Sequence, residues 1–80
     1  MDEWSEQDNA LVRVFEFESF PAAIAFVERL ANAAESENHH PDIDIRYNKV
    51  RLALTTHDSG GITLLDLALA GAIDRLRPDV

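Results

Sequence analysis

The sequence predicts an α+β fold in which two helices pack on one face of a four-stranded antiparallel sheet, with the elements in the order ββαββα. Three patterns predict it. β-branched and aromatic residues cluster at 10–17, apolar and polar residues alternate over 43–57, and the segments that follow Ser19 and Thr63 carry apolar residues at helical spacing. The 80 residues contain no repeat, linker or low-complexity segment, which predicts a single domain over 1–80.

Charge and composition narrow the class of protein. The net charge is −8, from 15 acidic and 7 basic residues, so we expect neither nucleic-acid binding nor docking to anionic membranes. No apolar run approaches the roughly 20 residues of a membrane span, and the N-terminus lacks a signal-peptide pattern. These features favour a soluble cytoplasmic protein. The absence of cysteine excludes disulfides and thiolate metal sites.

The N-terminal residues are expected to form a hairpin. Residues 4–6 are a candidate first strand, and 7–9 are turn-like because Asp and Asn side chains bond to the nearby backbone. Residues 10–17 follow, and their β-branched and aromatic content predicts the second strand. We expect Trp4 in the core rather than in a ligand site.

The first helix is predicted to begin after Ser19. Serine is a favourable N-cap, and Pro21 in the first turn loses no hydrogen bond. Pro41 cannot continue the helix, so it should end near 37–38 and leave His40 extended. One apolar stripe is expected to face the core, formed by Ala23, Phe26, Val27, Leu30, Ala31 and Ala34.

Residues 42–57 predict a second hairpin, with a tight turn at 48–49. A strand that stayed regular to its end would place His57 on the same face as Arg51. The inward-facing residues are expected to be Ile43, Ile45 and Tyr47 on the first strand and Val50, Leu52, Leu54 and Thr56 on the second.

A turn and a helix-capping motif precede the last helix. Gly60 and Gly61 form too short a pair for a phosphate-binding loop and indicate a turn. Thr63 and Asp66 resemble a capping box, with aspartate in place of the usual glutamate. The helix should run to about Arg77 and is apolar on most of its circumference. One small sheet cannot cover that surface, so we expect a homodimer or homotetramer formed through this helix.

The candidate functional residues lie between Glu35 and Asp66. This stretch contains all three histidines of the chain, His39, His40 and His57. An imidazole has an unperturbed pKa of about 6.5 and exchanges protons near neutral pH. Three imidazoles close together therefore indicate general acid–base chemistry.

The predicted hairpin brings these rings together. Pairing of its strands with Pro41 roughly opposite Thr56 would place the helix–strand junction beside the end of the last strand. Glu35 lies one helical turn before the adjacent histidines, and Asp66 lies in the first turn of the last helix. We therefore expect a single acid–base site flanked by two carboxylates.

Simpler interpretations of the same residues stay open. The adjacent histidines alone are compatible with an exposed polar junction, Glu35 with a solvated helix end, and Asp66 with a plain helix cap. Three imidazoles and a carboxylate would also suit zinc. Their spacing matches no usual zinc signature, so a metal site ranks below acid–base chemistry.

A spaced set of residues extends over nearly the whole chain, from Trp4 to Leu76. It comprises Phe15, Phe17, Phe20, Ala23, Phe26, Glu35, His39, His40, Pro41, Tyr47, Asn48, Val50, Thr56, His57, Gly61, Asp66, Leu69 and Ala70. This pattern resembles the pterin-4a-carbinolamine dehydratase family, and the double histidine before proline with the later Thr-His pair is its most specific part.

The resemblance implies dehydration of 4a-hydroxytetrahydropterin to quinonoid dihydropterin, which regenerates the cofactor of aromatic amino-acid hydroxylases. It implies no metal or organic cofactor. Carried over by position, His39 and His57 would carry protons and His40 would bind and polarise the pterin. The substrate pocket would be lined by Pro41, Thr56, Asp58 and Ser59, and supported by Glu35 and Asp66.

Two departures from the family pattern change what we expect. Relatives usually carry a helix before the tryptophan that corresponds to Trp4, and this sequence starts almost at that residue, so sheet coverage and assembly are expected to differ. Relatives often have an aromatic residue where Ile43 stands, so pterin affinity or preference is expected to differ too.

Two other functions are compatible with the resemblance. Vertebrate relatives also act as a dimerisation cofactor of a homeodomain transcription factor, so one alternative is a non-catalytic interaction module that uses the apolar last helix. The other is an enzyme of the same fold that acts on a different pterin.

Overall fold

The computed structural model describes residues 3–76 and has the predicted α+β architecture. The strands β1 (Ser5–Gln7), β2 (Ala10–Glu16), β3 (Asp42–Arg46) and β4 (Lys49–Leu54) form one antiparallel sheet in the order β1-β2-β4-β3. The helices are α1 (Phe20–Glu37) and α2 (Leu64–Leu76). A 3-10 turn, His57–Ser59, precedes α2 and is an addition to the predicted order ββαββα. The predicted last residue of α2, Arg77, lies outside the described residues.

The hydrophobic core lies between the sheet and the two helices. Phe15 of β2 and Phe26 of α1 meet at its centre, with ring centroids 4.9 Å apart. Trp4 contributes as predicted, and its ring meets Phe15 edge-on. The largest fully buried aliphatic side chains come from three elements and are Leu30, Val50, Leu52, Leu54, Leu69 and Ile73.

A charged residue lies on the core side of the sheet. Arg13 of β2 places its guanidinium 4.2 Å from the centroid of the Phe15 ring, a separation at which a cation and a ring face attract. Its Nη1 donates to Oδ1 of Asp74 on α2 over 2.7 Å, and Nε1 of Trp4 donates to the same oxygen over 2.9 Å. These contacts tie α2 to the N-terminal edge of the fold, and sequence reasoning did not anticipate them.

Both ends of α1 follow the sequence prediction. Oγ of Ser19 accepts a hydrogen bond from the amide of Ala22 over 3.1 Å. At the other end, Asn38 adopts a left-handed conformation with φ of 53°, and its amide donates to Glu35 O. A left-handed residue that ends a helix satisfies carbonyls the helix would otherwise leave unpaired.

The β3–β4 hairpin forms, but the predicted turn and register are wrong. Tyr47 and Asn48 make the turn, one residue earlier than expected. Arg46 therefore pairs with Lys49, and the register that would set Pro41 opposite Thr56 is shifted by two residues. The side chain of Asn48 donates to Phe17 O over 2.8 Å, which fixes the turn from outside the hairpin. The register shift is two residues, an even number, so Ile45, Val50 and Leu52 stay on the core face of the hairpin.

Three other expectations for this region need correction. Tyr47 is 71% exposed instead of half-buried, because it lies in the turn with φ of 55°. Ile43 is also exposed, because β3 is an edge strand. β4 ends at Leu54, so His57 does not continue its alternation.

α2 has one buried face and one exposed apolar face. Leu69, Ala70 and Ile73 are fully buried against the core. Leu64, Leu65 and Leu67 remain 80%, 52% and 41% exposed; these three side chains are called the leucine face below. Within residues 3–76, no helix combines the length and the apolar character needed to cross a membrane.

Candidate functional site

The three histidines share one cavity at the open end of the β3–β4 hairpin. The cavity has a volume of about 420 Å³, within the range of roughly 300–1,000 Å³ usual for small-molecule sites. Its walls come from the end of α1, the segment after β4 and the first turn of α2. The lining residues are Asn38, His39, His40, Thr55, Thr56, His57, Asp58 and Leu65.

The end of α1 delivers two of the histidines. After the left-handed Asn38, the amide of His39 donates back to Ala34 O over 3.1 Å, which turns the chain sharply off the helix. The His39 side chain faces inward and is 13% exposed, whereas the His40 side chain remains more than half exposed. Adjacent histidines therefore have different surroundings within one cavity.

His39 is held by a buried carboxylate. Its Nε2 lies 2.6 Å from Oδ1 of Asp66, whose side chain is fully buried. The other oxygen, Oδ2, accepts the amide of Thr63 over 2.9 Å and the hydroxyl of Thr56 over 2.8 Å. Thr63 and Asp66 thus form the predicted capping box, and Asp66 serves the helix cap and the histidine together.

These hydrogen bonds determine the ionisation of Asp66. Burial works to raise the pKa of its carboxyl, but the hydrogen bonds from His39, from the Thr63 amide and from Thr56, with the attraction of the His39 charge, hold that pKa below its ordinary value. An ionised carboxylate can only accept hydrogen bonds. Nε2 of His39 must therefore carry a proton, and Nδ1 is left as the nitrogen that can exchange one.

His40 has a weaker anchor. Its Nε2 lies 2.5 Å from Oε2 of Glu35, one helical turn back on α1, and both side chains are largely exposed. Exposed ion pairs contribute little to stability. The contact orients the His40 ring at the mouth of the cavity.

A closed loop presents His57. Thr56 and Gly61 pair across it, with the Thr56 amide 2.9 Å from Gly61 O, and Gly60 has φ of 73°, where a side chain would be strained. His57 lies in the 3-10 turn inside this loop. Within residues 3–76 its ring makes no hydrogen bond or ion pair, so both nitrogens are accessible.

The structure brings together most of the residues singled out in the sequence. Thr56 and Asp58 line the cavity, but Pro41 and Ser59 are not among its lining residues. Glu35 and Asp66 each contact a histidine. Within the described residues, no group of three or more carboxylate or imidazole side chains is arranged to hold a metal ion.

Three lining residues were missed by sequence reasoning. Asn38 carried a signal, because asparagine is a common left-handed residue at helix ends. Thr55 directs its hydroxyl to Asn9 O over 2.9 Å, a contact between distant segments that no local pattern predicts. Leu65 looked like one more apolar residue of α2, and its position beside the cavity depends on how the helix docks.

Comparison with known proteins gives a consistent result. The family model for pterin 4 alpha carbinolamine dehydratase matches residues 1–76. A protein of Chloroflexus aurantiacus, provisionally named pterin-4-alpha-carbinolamine dehydratase, is 62% identical over 74 residues, which cover 92% of this chain and 80% of that protein. A Picosynechococcus protein with the same provisional name is 54% identical over 74 residues, with the same coverage.

Solved structures with this fold include proteins of differing roles. A Brucella melitensis structure described as a transcriptional coactivator/pterin dehydratase is 34% identical, with a TM-score of 0.91 over 98% of this chain and 85% of that one. A pterin dehydratase-like protein, described as a RuBisCO assembly factor of the alpha-carboxysome, is 23% identical, with a TM-score of 0.77 over 96% of this chain and 89% of that one. At 23% identity, the similarity to the second structure shows a shared fold alone.

Proposed function

This chain belongs to the pterin 4 alpha carbinolamine dehydratase family, and on that premise we propose that it removes water from a 4a-hydroxytetrahydropterin to give the quinonoid dihydropterin. The observation that carries the proposal is the sharing of one cavity of about 420 Å³ by His39, His40 and His57. The cavity is of the size usual for small-molecule ligands, and imidazoles exchange protons near neutral pH.

The reaction needs two proton transfers and no net change in protons. A base takes the proton from ring nitrogen N5, and the electron pair of that N–H bond forms the C4a=N5 double bond. The C4a–O bond breaks, and an acid protonates the departing hydroxide to give water. A base and an acid with pKa values near the working pH perform such transfers best.

The contacts of the histidines indicate which two of the three carry out the proton transfers. His39 offers Nδ1, because Asp66 fixes the proton on Nε2. His57 has no partner within residues 3–76 and offers either nitrogen from the facing wall. We assign the two proton transfers to His39 and His57.

His40 and Asp58 are assigned to binding. Glu35 holds Nε2 of His40, which leaves that ring in place to polarise the pterin. Asp58, beside His57, lies on the cavity wall and offers an acceptor to donor groups of the ligand. Pro41 and Ser59 do not line the cavity, so we assign them no contact with the ligand.

A direct assay of pterin dehydration tests the proposal. The wild-type chain should accelerate the reaction above the uncatalysed background, and His57→Ala should reduce turnover by about 10² or more, the usual contribution of a proton-transfer residue. Arg51→Ala, on the exposed face of β4 away from the cavity, is the matched control and should retain turnover. Background turnover by the folded wild-type chain, or full turnover by His57→Ala, would contradict the proposal.

A protein-interaction role is the second candidate, and the leucine face of α2 favours it. Three exposed leucines on one helix form an apolar surface of the kind that marks a protein interface. The same face also favours self-association into a dimer or tetramer. An adaptor without catalytic activity would show no dehydration in the assay above.

The preferred pterin is a separate question, and Ile43 bears on it. Ile43 is exposed on edge strand β3 and supplies no aromatic ring to a ligand. A panel of 4a-hydroxypterins that differ in their side chains, assayed with wild-type protein, would identify the preferred substrate.

A further inference from the structure

We propose that Leu65 is a specificity-determining residue, whose side chain forms the wall on which the C6 substituent of the pterin packs and which favours an apolar substituent over a hydroxylated one. Among the residues of 3–76 that line the cavity, Leu65 alone has an apolar side chain. It is 52% exposed, so part of its surface is open to a ligand. The inference rests on the proposed function, since it takes the ligand of the cavity to be a pterin.

Leu65 differs from the other two residues of the leucine face. Leu64 and Leu67 are also exposed, but neither lines the cavity. Successive residues of a helix point about 100° apart, so neighbours along α2 reach different surroundings. Asp66 points into the fold and holds His39, and Leu65, one residue earlier, borders the cavity. Of the leucine face, Leu65 is therefore the residue that continues the apolar surface into the cavity.

The position of Leu65 relative to the reacting atoms follows from its neighbour. In the proposed reaction N5 of the pterin faces His39 and His57, and C6 is bonded directly to N5. A substituent on C6 therefore lies beside the reacting edge. Leu65 precedes Asp66, the carboxylate that holds Nε2 of His39, so it lies on the same side of the cavity as His39. A ligand that presents N5 to His39 brings its C6 substituent against Leu65.

The threonines of the cavity wall have no proton to give to a hydroxylated substituent. Thr55 donates its hydroxyl proton to Asn9 O over 2.9 Å, and Thr56 donates to Oδ2 of Asp66 over 2.8 Å. A hydroxyl group that leaves water for an apolar wall without a hydrogen-bond partner is disfavoured. A methyl group in the same place gains from burial against leucine. The wall at Leu65 therefore selects for an apolar C6 substituent.

Competition between two substrates tests the inference. The 6-methyl and 6-(1,2-dihydroxypropyl) forms of 4a-hydroxytetrahydropterin, mixed in one solution, compete for the same enzyme. The ratio of their kcat/KM values does not depend on the amount of active protein, so partial unfolding of a variant does not affect it. The wild-type chain should favour the methyl form about tenfold, at the low end of what a hydrophobic pocket provides, because Leu65 is half exposed.

Three variants separate the contact in the cavity from other effects. Leu65→Asn replaces the apolar branch with an amide of similar shape and should bring the ratio to about one. Leu65→Met keeps an apolar side chain of similar volume and should keep the wild-type ratio. Leu64→Asn is the matched control, because it makes the same polar change on the leucine face outside the cavity. It should keep the wild-type ratio even where it weakens assembly.

Equilibrium binding provides a measurement that needs no turnover. The 6-methyl and 6-(1,2-dihydroxypropyl) forms of 7,8-dihydropterin differ in the same substituent, and neither has a 4a-hydroxyl group to lose. The wild-type chain should bind the methyl form more tightly. The ratio of the two Kd values should change about tenfold in Leu65→Asn and stay at the wild-type value in Leu64→Asn.

The outcomes separate this inference from the proposed function. An unchanged Kd ratio in folded Leu65→Asn would overturn the inference, as would an equal change in Leu64→Asn, a wild-type preference for the dihydroxypropyl form, or failure of the wild-type chain to bind either dihydropterin. Dehydration by a wild-type chain that gives one of these results would leave the proposed function standing. Absence of dehydration would overturn the proposed function, and the Kd ratio would still decide the role of Leu65.

Discussion

Asp66 is a buried ionisable residue with two tasks. Its carboxylate completes the N-terminal cap of α2 and also holds Nε2 of His39. A buried charge without partners would be costly, but each oxygen of Asp66 accepts at least one hydrogen bond. The same contacts that stabilise the helix start therefore orient the histidine.

Stability at low pH should depend on Asp66. Burial acts to raise its pKa, but the hydrogen bonds from His39, Thr63 and Thr56 together outweigh burial and lower the pKa in the folded chain. The stabilisation is fully present above the unfolded-state pKa of about 3.9 and is lost as the pH falls through the lower folded-state value. Asp66→Asn should lower the free energy of unfolding by about 1–3 kcal/mol at pH 7 and flatten its decline in acid.

Urea denaturation at a series of pH values measures this effect. Asp42→Asn, at an exposed position of β3, is the matched control and should keep the wild-type decline in acid. An Asp66→Asn protein whose stability falls in acid as steeply as that of the wild type would contradict the role given to this carboxylate.

At the scale of single elements, the sequence correctly predicted the features that depend on residues close together in the chain, such as helix caps. The N-cap at Ser19 and the capping box at Thr63 formed as expected, since each depends on residues within one turn. The hairpin turn was misplaced because Asn48 bonds to Phe17, far away in the sequence. The end of β4 was missed for a similar reason: the pairing of Thr56 with Gly61 closes a separate loop.

The left-handed Asn38 sets the direction of the chain into the site. A β-branched residue strains in that conformation, so Asn38→Val should destabilise the fold by about 1–2 kcal/mol. Asn38→Gly adopts the conformation freely and should change stability by less than about 0.5 kcal/mol. Thermal or urea denaturation of both variants measures the difference, and equal stabilities would show that the backbone at 38 does not control this turn.

The sequence predicted which residues form the candidate site better than it predicted how their side chains are arranged. Alternation and element order place His39 and His57 at the same end of the hairpin, and a register error of two residues left that conclusion intact. The direction of the Thr56 hydroxyl, by contrast, depends on side-chain packing with α2. Sequence patterns specify on which face of a strand or helix a residue lies. They do not specify the hydrogen-bond partner of its side chain.

At the scale of the whole molecule, two features concern α2. One is the contact of Arg13 and Trp4 with Asp74, which holds the helix to the sheet on its inner side. The other is the leucine face on the outer side. Burying a leucine side chain contributes about 1.5–3 kcal/mol, so pairing of these faces between two copies would stabilise a small fold considerably.

Self-association through the leucine face is testable by sedimentation velocity at micromolar concentration. The wild-type chain should sediment as a dimer or tetramer, and Leu67→Glu should shift it to a smaller species because a charge would be buried in the contact. Val14→Glu makes the same change at an exposed position of the sheet and should keep the wild-type assembly. A monomeric wild-type protein would contradict the proposal.

The most direct test of the central claim is a crystal structure with a bound dihydropterin. We predict that the bicyclic ring lies in the cavity between His39 and His57, with an imidazole nitrogen about 2.6–3.2 Å from the N5 edge and His40 beside the ring. A pterin bound elsewhere on the chain, or bound in the cavity with its C4a–N5 edge turned away from both histidines, would contradict the assignment of this site.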